Sequence, residues 1–176
     1  MKLTILKLAG LGILGLSLTG CPPKSQVKKD ETKEDAQKPT PPVEEPSLRG
    51  KDYKEVPDLS AIYFDLDQST LRADARDVLQ KNYQVLQKHT DWEVLVEGHC
   101  DERGTTEYNL GLGQRRAASA RTYYMSLGLD GHRVATISYG KENPICSDHN
   151  EDCWSKNRRG VSKVRSNLPP EKTEGK

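Results

Sequence analysis

The stretch Trp92-Glu93-Val94-Leu95-Val96-Glu97-Gly98-His99-Cys100-Asp101-Glu102-Arg103-Gly104-Thr105-Thr106-Glu107-Tyr108-Asn109 is where one kind of structure gives way to another. Trp92, Val94 and Val96 alternate with Glu93, Leu95 and Glu97, the period-two pattern of a strand buried mainly on one face. Gly98 to Thr106 is polar and contains glycine, so it reads as a loop. From about 107 to 127 the period becomes helical. Gly113, Ala117, Ala120, Tyr124 and Leu127 form a packing stripe, and Gly128 stands where a helix C-cap belongs.

Working outward, Ile62-Tyr63-Phe64 is a short apolar strand closed by Asp65-Leu66-Asp67-Gln68-Ser69. Ala75, Val78, Leu79, Tyr83 and Leu86 then recur at helical spacing, which predicts an amphipathic helix over 72–89. On the other side, Val134 to Tyr139 reads as a third strand. A loop holding Cys146 and Cys153 follows, and then a last strand near 160–165, although Gly160, Ser162 and Lys163 are poor strand-core residues. The order βαβαββ predicts an α+β domain over residues 55–167, with two main helices packed on one mixed four-stranded sheet. The tail 168–176 is expected to be disordered.

The chain has 176 residues, enough for one such domain and little more. It carries 27 Lys+Arg against 26 Asp+Glu, and a net charge of +1 argues against a nucleic-acid binder driven by phosphate neutralisation. A charged fraction of 30 % and a mean hydropathy of −0.80 exclude a polytopic membrane protein. With a single Phe, two Trp and seven Tyr, the core must rest on Leu, Val, Ile and Ala.

Residues 1–20 read as a secretory signal. Lys2 and Lys7 supply the positive start, and the uncharged run Leu8 to Leu18 is far shorter than the roughly 20 apolar residues that cross a bilayer. Leu18-Thr19-Gly20-Cys21 resembles the bacterial lipobox, which implies that Cys21 is acylated and begins the mature chain. Each buried acyl CH₂ contributes about 0.8 kcal/mol, so two or three chains anchor firmly where one does not. Pro22, where Asp would favour retention in the inner membrane, allows outer-membrane sorting. Loss of Lys2 and Lys7 gives a mature charge of +1 − 2 = −1. Residues 22–52 hold six of the ten prolines, seven cations, seven anions and no aromatic residue. Residues 21–54 are therefore expected to be a lipidated Cys and a disordered tether.

Together with Leu112, Arg116-Ala117, Ser138-Tyr139-Gly140 and Asn157-Arg158-Arg159, the stretch Glu97 to Asn109 resembles the OmpA-like, peptidoglycan-binding family, in particular its lipid-anchored members. The resemblance covers about 60–167. It implies non-covalent capture of the peptide stem of peptidoglycan through meso-diaminopimelate, in the outer membrane and facing the periplasm. It also implies partnership with a TolB-like periplasmic protein in a Tol-type system supporting envelope integrity and cell division. No reaction, cofactor or metal is implied. The side-chain end of diaminopimelate carries an ammonium and a carboxylate, so its binder needs one acid and one base at fixed separation, and Arg can meet a carboxylate with two hydrogen bonds.

The family's acid falls on Asp101, its base on Arg116 and its Asn on Asn109. Asp65, after the first strand, is either a further residue at the edge of the pocket, where strand ends and loops gather, or a turn or helix-cap residue. Asn109, Leu112 and Arg116 stand at i, i+3 and i+7 and share a helix face. Spacing alone favours a surface ion pair between Asp101 and Arg116 with Asn109 as a cap, and it is the resemblance that turns the reading to binding. A docking protein with little or no wall binding also satisfies the anchor and the tether.

His99 reads as a hydrogen-bonded structural residue, and Arg158 and Arg159 as framework or cleft-rim charges. Cys146 and Cys153, seven apart in an exported chain, are the expected disulfide. Cys100 departs from the family pattern, which has a small residue there, and reads as a buried thiol beside the site. His99, Cys100 and Asp101 are adjacent in sequence and lack an orienting partner, so they make a poor nucleophile–base set. His99, Cys100, Cys146 and Cys153 have no recognised zinc spacing.

Overall fold

The computed structural model describes residues 43–48 and 52–166. The signal, Cys21, most of the tether and the tail lie outside the described residues. The elements are β1 (Ile62–Tyr63), α1 (Ala73–Lys88), β2 (Trp92–His99), α2 (Thr106–Ser126), β3 (Val134–Gly140), α3 (Glu151–Asn157) and β4 (Arg159–Ser166). They form an α+β domain on an open four-stranded sheet in the order β1-β4-β2-β3. β2 and β3 are parallel, joined through α2, while β4 runs antiparallel to both β1 and β2.

Val94 and Val96 of β2, Val134 of β3, Val164 of β4 and Ile62 of β1 pack against Ala75, Leu79 and Leu86 of α1 and Ala117, Ala120 and Tyr124 of α2. The expected alternation on β2 is therefore the core face. Glu93 and Glu97 lie on the opposite face, where Glu97 meets Lys163 at 3.1 Å. The weak strand residues of β4 have specific reasons to be there. Gly160 leaves room for Ile62 and Phe64, and Ser162 Oγ is 2.9 Å from the buried hydroxyl of Tyr124. β4 is central because those substitutions fit its neighbours, which a propensity scale does not register.

Two features differ from the sequence expectation. The cysteine loop contains a third helix, α3, capped at its start by Asn150, whose side chain accepts from Cys153 N at 2.9 Å. The end of the expected tether packs on the domain. Lys54 forms a two-bond bridge with Val164, and Glu45 accepts from the backbone N–H of Thr136 at 2.9 Å. That N–H points off the free edge of β3, an unpaired donor that a carboxylate satisfies well.

Candidate functional site

At the C-terminal ends of β2 and β3 the helix α2 approaches the sheet closely enough to exclude side chains. A Cβ on Gly98 would stand 1.9 Å from the carbonyl oxygen of Gly113, and one on Gly113 would stand 2.2 Å from Ser138 Oγ. This contact drives the first half of α2 against the end of β2 and lets Arg116, one turn further on, reach under the β1–α1 loop. Arg116 is fully buried, at 0 % exposure. Its guanidinium donates to the carbonyls of Gln68 and His99, each at 2.8 Å, and of Asp65 at 3.1 Å. Phe64 lies against it at 5.1 Å. Burial pulls its pKa below the ordinary guanidinium value, and the nearby Cys100 and Asp101 oppose that shift.

Asp101, 4 % exposed, follows β2. One carboxylate oxygen accepts from Arg103 N at 3.2 Å; the other accepts from Arg103 Nη2 at 2.5 Å and Arg158 Nη1 at 3.2 Å. Burial works to raise the pKa of Asp101, but the hydrogen bonds from Arg103 and Arg158 outweigh it and hold the carboxyl below its ordinary value. Arg158 also donates to Glu151 and to the carbonyl of Phe64, tying α3 to β1 across the site. Asn109 is buried too. Its amide donates to the carbonyls of Arg103 at 2.8 Å and Thr105 at 3.0 Å, pinning the loop to α2.

Asp101, Asn109 and Arg116 are thus brought together, and all three line one cleft of about 220 Å³. They are not the surface ion pair and cap that spacing alone favoured. Asp101 is paired with Arg103 and Arg158, and the cap of α2 is Thr105, whose hydroxyl accepts from Tyr108 N at 3.2 Å. Asp65 is placed differently from expectation. Its carboxylate pairs with Arg72 at 2.8 Å on the surface, outside the cleft lining, and only its carbonyl reaches the site through Arg116.

Sequence reasoning passed over Asp67, Leu66, Arg103 and Tyr108, which also line the cleft. Asp67 has a left-handed backbone (φ 59°) and accepts from the hydroxyl of Tyr108. Leu66 and Tyr108 are 54 % and 48 % exposed at the mouth. The one available signal was the acidic closure of the first strand. Arg158 and Arg159 part company: Arg158 lines the cleft, whereas Arg159 donates to Asn143 O on the other side.

Cys100 is a buried thiol that donates to the carbonyl of Asn109 at 3.4 Å, with a pKa raised by burial. His99 is buried and stacked on Tyr139, but neither ring nitrogen has a hydrogen-bond partner among the described residues; its nearest acid is Glu97 at 3.4 Å. The expected hydrogen-bonded role is therefore replaced by ring packing and a close approach to the Glu97 carboxylate. Cys146 and Cys153 are joined as a disulfide. Among the described residues no group of His, Cys, Asp and Glu is arranged to hold a metal, and no helix is long and apolar enough to cross a membrane.

In chemical terms the cleft offers three arginines and two aspartates. Such a lining suits a ligand that presents a carboxylate and an ammonium a few ångströms apart.

A model of the OmpA family matches residues 63–158. A peptidoglycan-associated lipoprotein of Brucella melitensis is 52 % identical over 101 residues, covering 57 % of this chain and 60 % of that protein. The protein of the same name from Pseudomonas aeruginosa is 40 % identical over 101 residues, with 57 % and 60 % covered. The match thus spans about 60 % of the length of these curated relatives. The crystal structure of the peptidoglycan-associated lipoprotein from Burkholderia pseudomallei superposes with a TM-score of 0.58 at 37 % identity, covering 60 % of this chain and 89 % of that one.

Proposed function

The chain belongs to the OmpA family, and from that premise we propose that it is an outer-membrane lipoprotein that holds the cell wall without covalent bonds. Its domain captures the diaminopimelate of the peptide stem, Cys21 carries the acyl anchor, and residues 22–42 give it reach. The observation that carries this reading is a fully buried arginine and a nearly buried aspartate, Arg116 and Asp101, lining one small cleft without pairing with each other. Each keeps capacity for a ligand. Three of the five N–H groups of Arg116 are held by carbonyls, and the other two have no exposed surface until a ligand displaces the cleft wall around them. Asp101 accepts three bonds, short of the roughly four lone-pair directions of a carboxylate, which leaves a place for an ammonium. Both groups are held rigidly before binding, so little ordering entropy is lost on capture. The mechanism is reversible electrostatic and hydrogen-bonded capture, with Asn109 fixing the loop and no chemical step.

A second reading has its own observation. Leu66 and Tyr108 expose apolar surface at the cleft mouth, which also suits docking of a TolB-like periplasmic protein in a Tol-type system for envelope integrity and division.

The test is co-sedimentation of the full chain with sacculi of diaminopimelate type and of lysine type. Lysine stems keep the ammonium and lack the carboxylate. Binding to the diaminopimelate wall alone, lost in Asp101→Ala with the fold intact by circular dichroism, is the expected result. Equal binding to both walls overturns the ligand assignment, and absence of binding to either leaves protein docking as the function.

A further inference from the structure

The segment Asp101 to Gly104 is a partition between two hollows. Asp101, Arg103 and Gly104 face the cleft just described, while Glu102 faces a separate hollow of about 350 Å³ behind it. The far wall of that hollow is the disulfide loop, with Asp148 and His149, and its side is Trp154 of α3. Nothing in the proposed capture of diaminopimelate uses these groups.

They are nonetheless joined to one another. The indole Nε1 of Trp154 donates to Glu102 Oε1 at 2.8 Å, and the Arg103 guanidinium covers one ring face at 4.2 Å from its centroid. His149 Nδ1 lies 2.6 Å from the same Glu102 oxygen, and Lys141 Nζ donates to the carbonyl of Gly104 at 2.8 Å. The Cys146–Cys153 disulfide closes the loop that carries Asp148 and His149, so the hollow is formed before any ligand arrives.

An aromatic ring beside a carboxylate–imidazole pair, a second carboxylate and an ammonium is ill suited to a single ion, because the charges nearly cancel. It suits a neutral ligand with apolar C–H faces and many hydroxyl and amide groups. We propose that this hollow binds an N-acetylated hexosamine of the wall glycan, the sugar that bears the stem held in the neighbouring cleft. The proposal rests on the peptidoglycan reading above. In the wall, a lactyl ether, two amino acids (one joined through its γ-carboxyl) and the diaminopimelate side chain separate that sugar from the captured ammonium and carboxylate, an extended reach on the order of 15 Å. The two hollows share the segment Asp101 to Gly104 as a wall, and a stem of that reach can pass round it to serve both. Linking two weak sites through one ligand raises affinity without new contacts at the first.

The experiment is calorimetric titration of the full chain with a purified disaccharide–tetrapeptide of diaminopimelate type and with the same tetrapeptide lacking sugars. The disaccharide should tighten binding by about tenfold, the equivalent of one or two good hydrogen bonds. Trp154→Ala should remove that gain. Because this change also strips the stack from Arg103, the double variant Asp148→Asn, His149→Ala, placed away from the first cleft, provides the independent check. It should equalise the two ligands while leaving the bare peptide's affinity unchanged. Equal affinities in the unaltered protein overturn the sugar site and leave the wall-binding reading standing, as does a parallel loss for both ligands in the double variant. Failure to bind either ligand overturns the wall-binding reading and the sugar site with it.

Discussion

Replacing Asp101 by Asn keeps the shape of the side chain and removes its charge, which isolates what the carboxylate does. In the folded protein it accepts two guanidinium hydrogen bonds, from Arg103 at 2.5 Å and Arg158 at 3.2 Å, as well as one backbone bond. Both guanidinium bonds go to one carboxylate oxygen and the backbone N–H of Arg103 to the other. The single oxygen of an amide therefore keeps either the two guanidinium donors, now on a neutral acceptor, or the backbone donor, and its NH₂ faces whichever it does not accept from. Bonds to charged groups contribute about 1.5–3 kcal/mol each, and the side chain of Arg158 is only 8 % exposed. The expected loss is about 2–3 kcal/mol at neutral pH, or roughly 6–12 °C in Tm for a domain of this size.

The pH dependence has a definite sign. The folded carboxyl titrates below its ordinary value of 3.8, so its stabilisation is complete above that value and is lost as pH falls through the folded pKa. Urea unfolding of the two proteins at neutral pH and at about pH 2 should therefore show a gap that closes on acidification. A gap of the same size at both pH values, or none at neutral pH, refutes the argument that the charge of Asp101 holds the two arginines.

Arg116→Lys retains the charge but cannot fan three donors toward Gln68, His99 and Asp65. It should cost about 2–3 kcal/mol in urea unfolding, because buried carbonyls are left without partners; an unchanged midpoint would mean that the carbonyls are solvated after all. Gly98→Ala places a methyl carbon 1.9 Å from the Gly113 carbonyl, a backbone atom that cannot step aside. It should destabilise by about 3 kcal/mol through displacement of α2, and weaken any ligand binding with it; near-normal stability would show that α2 shifts freely.

Much of the element order was legible because each element states its period. The alternation of β2 and the small-residue stripe of α2 are local patterns, and each follows from which face must be buried. β4 was legible only weakly, since its Gly160 and Ser162 make sense only once Ile62, Phe64 and Tyr124 are seen against them. α3 was missed because a helix of 7 residues has too few turns for a period, and its stability comes from the Asn150 cap and the disulfide. The tether's far end also read as solvated. Glu45 has no pattern of its own, and it becomes ordered through Thr136, 91 positions along the chain.

At the site, the residues Asp101, Asn109 and Arg116 could be picked out by helix spacing and family resemblance, but their partners could not. Spacing along the chain says which side chains share a face. It says nothing of the groups that arrive from other elements. The sequence by itself determined an α+β domain and the three polar residues that meet at one end of it. The tertiary structure alone decided that Asp101 is held by Arg103 and Arg158 rather than by Arg116, that Arg116 is anchored on backbone carbonyls, and that Asp65 turns away to Arg72 while Asp67 and Tyr108 line the mouth. The physical reason is that buried polar groups take whichever partners the packing brings within about 3 Å, and those partners come from residues distant in sequence.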